Sequence, residues 1–432
     1  MRLDIPFGEI KHSFNLPDKN LLFIDQVEDV NEIQDLRQAI FDMLDKPIGT
    51  PPLRSLTKEK QNIVILIEDN TRHTPLKQIL PVLLEYLAYC NVPDRNISFL
   101  TAPGTHRIMS VHEIIEKVGE DIYNRFRIYQ HDVTKPDELY DEGYVEAGGY
   151  RIPIQVNKKA VDADLLMGIG EIVPHSDAGY SAGAKIVQPG VCGYATTAAT
   201  HVLAALQDRF PIGVADNLCR SGIEKVAEKV GLSFILNIVK NQQGKVCGVF
   251  AGDFIKAHRK GCYMAEKVYS IPIPMLADVV VVSSWPCDID YWQAGKALIA
   301  AATATKPGGI IIFATPCPER IAHNHPKLNQ WLKMSLAQAI NRAKEISPEN
   351  VDADLVSADI AIANARVREN ADVYVISDGL TEEDIDVLGF RRFLSVQEAL
   401  DEALRRIPGA TIGILRKGGI AFPVVKTQNA NV

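Results

Sequence analysis

The sequence predicts an α/β protein of two domains, each built on a mainly parallel sheet flanked by helices, with the active site in the interdomain cleft. Three observations carry this expectation. Continuous apolar runs of strand length recur, each followed by a polar loop and a stretch of helical spacing, the order that builds parallel sheets. At 432 residues the chain exceeds what one core usually supports. A proline-rich break, Ile271-Pro272-Ile273-Pro274, separates two such series, because proline fixes φ and interrupts regular structure. Residues 1–270 are therefore expected to form an N-terminal domain and 271–432 a C-terminal α/β domain, whose last residues pack back on the first.

Taken in order, Leu3–Ile5 and Leu21–Ile24 read as edge strands that pair, and 30–45 has helical spacing. Asn62–Ile67 (NIVILI) is a strand buried on both faces. It stops at Glu68-Asp69-Asn70-Thr71-Arg72-His73-Thr74-Pro75, where Pro75 opens a helix reaching Tyr89. A second unit follows: the strand 97–100, the polar tip 101–107, the helix 111–118. The strand 163–169 leads into Pro174–His201, PHSDAGYSAGAKIVQPGVCGYATTAATH, in which one lysine and two histidines stand among glycines and 195–206 reads as a helix. Residues 235–239 and 246–250 read as a strand pair across a polar turn, and 253–269 as a helix. Beyond the break, 277–284, 309–314, 373–377 and 411–415 read as strands, with helices at 291–302, 326–344 and 396–406; the polar end after Lys426 is expected to lack order.

A net charge of −8 with no basic block argues against a nucleic-acid footprint. Seven scattered cysteines without a CxxC pair suit a reducing cytoplasm rather than a disulfide scaffold. No signal-peptide pattern is expected at the N-terminus, and no apolar run approaches the ~20 residues of a membrane span.

Ligands of open α/β sheets sit at the carboxyl ends of the strands. That rule gathers Asp69, Arg72, His106, His175 and Lys185 on one rim of one sheet. Arg72 suits a substrate carboxylate, with Asp69 holding it or a neighbour; the plainer reading is a rim salt bridge between the two. His106 and His175 are acid/base candidates, or else solvated loop histidines. Lys185 is sterically open between small residues, and Gly183 and Gly190 would let the backbone approach a flat ligand. His201 sits on a helix, as a metal-ligating imidazole needs to, yet reads equally as a packed histidine. Gln293 and Lys296, at i and i+3 on a helical first turn beside Trp292, can point at a cleft or form a surface pair. His323 and His325 read as surface residues; His12, His112, His131 and His258 lie in polar surroundings and His73 points away from Arg72, so none of these takes a role.

Together DNTRHTP (69–75), GTHR (104–107), PH (174–175), GAKIVQPG (183–190), His201 and Gln293-Ala294-Gly295-Lys296 resemble the nickel-pincer-nucleotide-dependent lactate racemase family. The resemblance covers nearly the whole chain, and the lysine loop followed by a histidine sixteen residues on is its most specific part. It implies a 2-hydroxy acid racemase or epimerase whose N-terminal domain binds the cofactor and carries the catalysis. The cofactor would be a pyridinium-3,5-bisthiocarboxylic acid mononucleotide holding nickel, covalently attached at Lys185, with His201 as the protein's nickel ligand. His106 and His175 would be the acid/base pair. Arg72 and Lys296 would bind the carboxylate or the developing carbonyl oxygen, supported by Gln293 and Asp69. The resemblance further implies dedicated cofactor-synthesis enzymes as maturation partners. Trp292 stands where an aromatic residue would set substrate size, which leaves lactate, longer or branched acids, malate-like diacids and sugar acids open. Two other readings stay in view: a conventional metal-dependent hydrolase or lyase ligated by His106, His175 and His201, and a non-catalytic binder of the nucleotide.

Overall fold

The structure, a computed structural model, describes residues 1–26, 30–322, 325, 327–420 and 422–426. Two six-stranded sheets organise it. The first has the strand order Val246–Gly252, Leu232–Lys240, Leu165–Glu171, Ile63–Ile67, Ile97–Thr101, Arg127–Gln130; all its pairs are parallel except the Leu232–Lys240/Val246–Gly252 hairpin. The second is parallel throughout, in the order Arg391–Arg392, Ala371–Ile376, Thr305–Ala314, Ala277–Ser283, Ile412–Leu415, Leu21–Ile24. The expected α/β architecture of mainly parallel sheets flanked by helices is thus present. Its central strands are uninterrupted apolar runs because helices cover both faces, and every residue of Ile63–Ile67 and of Leu165–Glu171 is buried.

Each sheet reverses its strand order at one point. In the first, the chain proceeds outward from Ile63–Ile67 through Ile97–Thr101, then restarts on the other side with Leu165–Glu171. In the second, the reversal lies between Ala277–Ser283 and Ile412–Leu415. Loops leaving the two strands at such a point diverge and open a crevice. Glu68–Pro75 and Val173–Lys185 flank the first crevice, and Trp285–Lys296 follows the second.

Several segments depart from expectation. Arg2–Phe7 pairs with Ile10–Asn15, whereas Leu21–Ile24 joins the second sheet beside Ile412–Leu415, so the two N-terminal strands do not pair with each other. Ser270–Ile273 is no linker: it is a strand paired in parallel with Phe422–Val425. Its proline is tolerated because the two-stranded ribbon uses one edge only, with Ile271 and Ile273 buried and Pro272 exposed. The helix expected over 326–344 is two, Leu328–Leu332 and Leu336–Glu345, the second opening on a Ser335/Gln338 capping box. The hairpin Leu139–Ala147/Tyr150–Asn157 and the helix Leu355–Asn370 were not expected from sequence. Among the described residues no helix is long and apolar enough to cross a membrane. His323 and the end after Lys426 lie outside the described residues.

Candidate active site

The loops at the two crevices line one cavity of about 160 Å³, which contains Asp69, Arg72, His106, His175, Lys185, His201, Trp292, Gln293 and Lys296. All nine residues singled out in the sequence therefore share one cleft.

The two acid/base candidates are held by different means. Asp69 is 3 % exposed, and its Oδ2 lies 2.9 Å from His106 Nδ1 while its other oxygen accepts from Thr71. Burial favours the neutral acid, but the hydrogen bond and charge of His106, with Arg72 nearby, hold the Asp69 carboxyl below its usual range. An ionised Asp69 assigns the proton to His106 Nδ1 and leaves Nε2 for chemistry. The expected Asp69–Arg72 salt bridge is absent, and among the described residues Arg72 forms no ion pair. His175 has no such carboxylate clamp. Its Nδ1 accepts the Asp177 backbone N–H at 3.2 Å, with the Asp177 carboxylate farther off at 3.5 Å. Burial and the cations Lys185, Lys296, Arg72 and Arg220 hold His175 well below the ordinary imidazole range, so it is neutral at pH 7.

His175 Nε2 stands 3.3 Å from Lys185 Nζ. Burial pushes the lysine ammonium down to about 8, well below the basicity of a free lysine.

Gly183 and Gly190 do not make room for a ligand. A Cβ at Gly183 would lie 2.7 Å from the His258 ring, and one at Gly190 2.1 Å from the Ile186 carbonyl. Both glycines let the lysine loop pack against protein. Beneath it Arg220, with no exposure, donates to the carbonyls of Ala178, Tyr180 and Ala182. His258 Nε2 meets the Ser181 carbonyl at 2.8 Å, and the Gly183 N–H reaches Asn237. His131 and His258 are fully buried rather than in polar surroundings. Replacing Arg220 by leucine orphans three carbonyls, and a loss of about 3 kcal/mol or more in urea unfolding is expected; an unchanged midpoint would show that the loop needs no clamp.

His201 lies on the helix Tyr194–Ala205, and its Nδ1 is 3.0 Å from Oδ2 of Asp359, which comes from the unanticipated helix Leu355–Asn370 across the cleft. Burial and the neighbouring Asp177 raise the Asp359 carboxyl to about 6, against the lowering pull of His201. Ligand atoms of Asp177, His201 and Asp359 fall within 4.8 Å of one another. His201 thus has carboxylate neighbours that sequence spacing does not show. Among the described residues no such cluster joins His106, His175 and His201.

On the opposite wall, Asp290 caps the helix Tyr291–Ala304, and Gln293 Oε1 accepts from Lys296 Nζ at 2.7 Å. His325 is not a surface residue: its side chain is 19 % exposed, its ring stacks on Trp292 with centroids 3.9 Å apart, and it lines the cleft.

Residues 7–212 match the family model of the lactate racemase N-terminal domain, and 274–419 that of the C-terminal domain. The chain is 30% identical over 421 residues to a lactate racemase of Thermoanaerobacterium thermosaccharolyticum, covering 93% of each chain. It is 31% identical over 419 residues to one of Lactiplantibacillus plantarum, covering 94% of this chain and 95% of that one. The structure of the Thermoanaerobacterium thermosaccharolyticum lactate racemase apoprotein superposes with a TM-score of 0.87 at 28% identity, over 98% of this chain and 100% of that one. A Thermotoga maritima protein shares the fold at a TM-score of 0.68 and 21% identity, over 92% and 100%. With a cleft of this composition and likeness over both halves, the chain belongs to the lactate racemase family.

Proposed function

We propose that the protein inverts the C2 carbinol centre of lactate or a related 2-hydroxy acid, with His106 and His175 as the acid/base pair. The observation that carries the reading is the presence of two differently held histidines in one cleft with a buried lysine amine and the cations Arg72 and Lys296. The α-hydrogen of such an acid is a poor proton donor because the adjacent carboxylate is already anionic, so its departure as hydride is the easier course. The two enantiomers present their hydroxyls in different directions, which calls for two bases.

Arg72 and Lys296 bind the substrate carboxylate and the oxygen on which charge develops, and Gln293 aims Lys296. His175, neutral, takes the hydroxyl proton of one enantiomer; His106 takes that of the other, while Asp69 compensates the charge then appearing on its ring. In each direction the other histidine begins protonated and returns its proton to the carbonyl oxygen, so the pair ends the turnover with its protonation states exchanged.

The residues fit a lysine-tethered nickel-pincer nucleotide. Lys185 is a buried amine of depressed basicity, suited to a thioamide link. His201 is oriented by Asp359 through Nδ1, the carboxylate–histidine arrangement that leaves Nε2 for a metal. When bound, the group would supply an electron-poor acceptor for hydride chemistry at C2. The first sheet serves in this reading as the cofactor-bearing unit and the second, which Leu21–Ile24 completes, as the closing one, with cofactor-synthesis enzymes as maturation partners.

Peptide mass spectrometry across Lys185, on protein co-produced with those enzymes and nickel, tests the reading beside a chiral assay of 2-hydroxy acids. A sulfur-containing mononucleotide adduct with loss of optical purity is expected. An unmodified Lys185 in protein that holds metal through Asp177, His201 and Asp359 would favour a conventional metal site. Asp359→Asn is expected to weaken nickel retention on dialysis by about 10–100-fold; wild-type retention would remove Asp359 from the site.

A further inference from the structure

His325 has no task in the chemistry at C1 and C2. The carboxylate and the hydroxyl are already served by Arg72, Gln293, Lys296, His106 and His175, yet a further imidazole lines the same cavity. One face of its ring is stacked on Trp292 at 3.9 Å and 11°, and its Nδ1 stands 3.3 Å from Asp354 Oδ1. Asp354 is itself fixed: it occupies the left-handed region at φ 51°, caps the helix Leu355–Asn370 through the Ser357 N–H, and accepts the Ser357 hydroxyl at 2.5 Å. Its carboxyl is held below the usual range, burial being outweighed by the hydrogen bonds of His325 and Ser357. An ionised Asp354 places the His325 proton on Nδ1, so that Nε2 is the ring's remaining polar atom.

Trp292 lies one residue from Gln293 and four from Lys296, on the same first helical turn, so the stacked pair sits beside the groups that grip the substrate. Much of the neighbouring wall is apolar, formed by Leu298, Ile299, Val356 and Ile360. In a small-molecule pocket a single polar group set in an apolar wall fixes orientation and selects its ligand. A methyl substituent at C2 offers such a group nothing to bind.

Resting on the proposed racemase reading, we infer that His325, stacked on Trp292 and oriented by Asp354, is a specificity residue for 2-hydroxy acids with a second oxygen function on the third carbon, a hydroxyl or a carboxylate. Neutral, its Nε2 accepts from a hydroxyl; protonated, it donates to either group. Lactate would use the same C1 and C2 contacts and leave this one unused.

The test measures kcat/KM of the matured protein for interconverting the enantiomers of lactate, glycerate and malate. The same three are compared in His325→Phe, which keeps a flat ring against Trp292 and removes both nitrogens, and in His325→Gln, which keeps a polar tip. Wild type is expected to prefer glycerate or malate to lactate at least tenfold, and His325→Phe to lower that ratio at least tenfold with His325→Gln between. Preference for glycerate identifies the hydroxyl as the group read, and preference for malate the carboxylate. Lactate preferred by wild type, or a ratio unmoved in His325→Phe, overturns the inference and leaves the racemase reading intact. Should His325→Phe not fold, the wild-type ratio and His325→Gln decide. Failure to racemise any acid, with Lys185 unmodified, overturns the racemase reading instead.

Discussion

Alanine at His106 or at His175 is expected to slow interconversion of the enantiomers by about 10²–10⁴-fold, the usual worth of a positioned acid or base. Enantiomers have equal free energy, so kcat/KM must fall by the same factor in both directions whichever histidine is removed. The two losses should still differ in how they are reached. His106 is clamped by the buried Asp69 carboxylate, and Asp69→Asn removes the charge that fixes the Nδ1 proton; a loss between about 10² and 10⁴ is expected with His106 itself untouched. His175 is held less tightly, by the Asp177 backbone N–H at 3.2 Å with the Asp177 carboxylate at 3.5 Å. Nickel content should be unchanged in these variants, because neither histidine belongs to the cluster around His201. A histidine variant that keeps its rate within tenfold of wild type removes that residue from the mechanism.

Lys185→Met is expected to abolish the covalent adduct and with it all racemisation, while making the apoprotein more stable. The sign follows from proton binding. Free lysine holds its proton to about pH 10.5, whereas Lys185 in the folded chain releases it near 8. Between those values the unfolded chain binds more protons, so apoprotein stability rises with pH across that window, and below 8 the full penalty is present. The lysine therefore costs stability at neutral pH, on the order of 1–3 kcal/mol. Thermal unfolding at pH 7 should show a higher Tm for Lys185→Met than for wild type, with the gap narrowing by pH 9.5. An equal or lower Tm would mean that the amine carries no such penalty. Formation of the adduct should likewise quicken as pH rises through about 8, since the free amine is the nucleophile.

The rim of the first sheet was legible because parallel strands covered on both faces are written as unbroken apolar runs. Ile63–Ile67 and Leu165–Glu171 announce themselves, and whatever follows them must lie at the carboxyl edge. Asp69, Arg72, His106, His175 and Lys185 were placed by that rule, and the family motifs added His201, Gln293 and Lys296. The helix Leu355–Asn370 was not legible, because it is buried on most sides and lacks the one-sided apolar stripe that marks a surface helix. Asp359 went unseen with it, although Asp354 immediately before Leu355 is a capping signal that would have found the start. Arg220 was missed for a related reason: a fully buried guanidinium satisfied by carbonyls has no partner in the sequence to point to it. His325 read as a surface residue because its stacking on Trp292 joins positions thirty-three apart that only the fold brings together.

The strands Leu21–Ile24 and Ser270–Ile273 have a consequence for how relatives can be recombined. Leu21–Ile24 completes the sheet formed by the later part of the chain, and Ser270–Ile273 pairs with Phe422–Val425 near its end. A hybrid of two parents spliced once, near residue 270, would seat one parent's edge strand on the other parent's sheet. The heritable modules are instead a middle segment and the two ends that enclose it. Exchange by two crossovers, one just after Gln26 and one just before Ser270, keeps every described strand with its own neighbours.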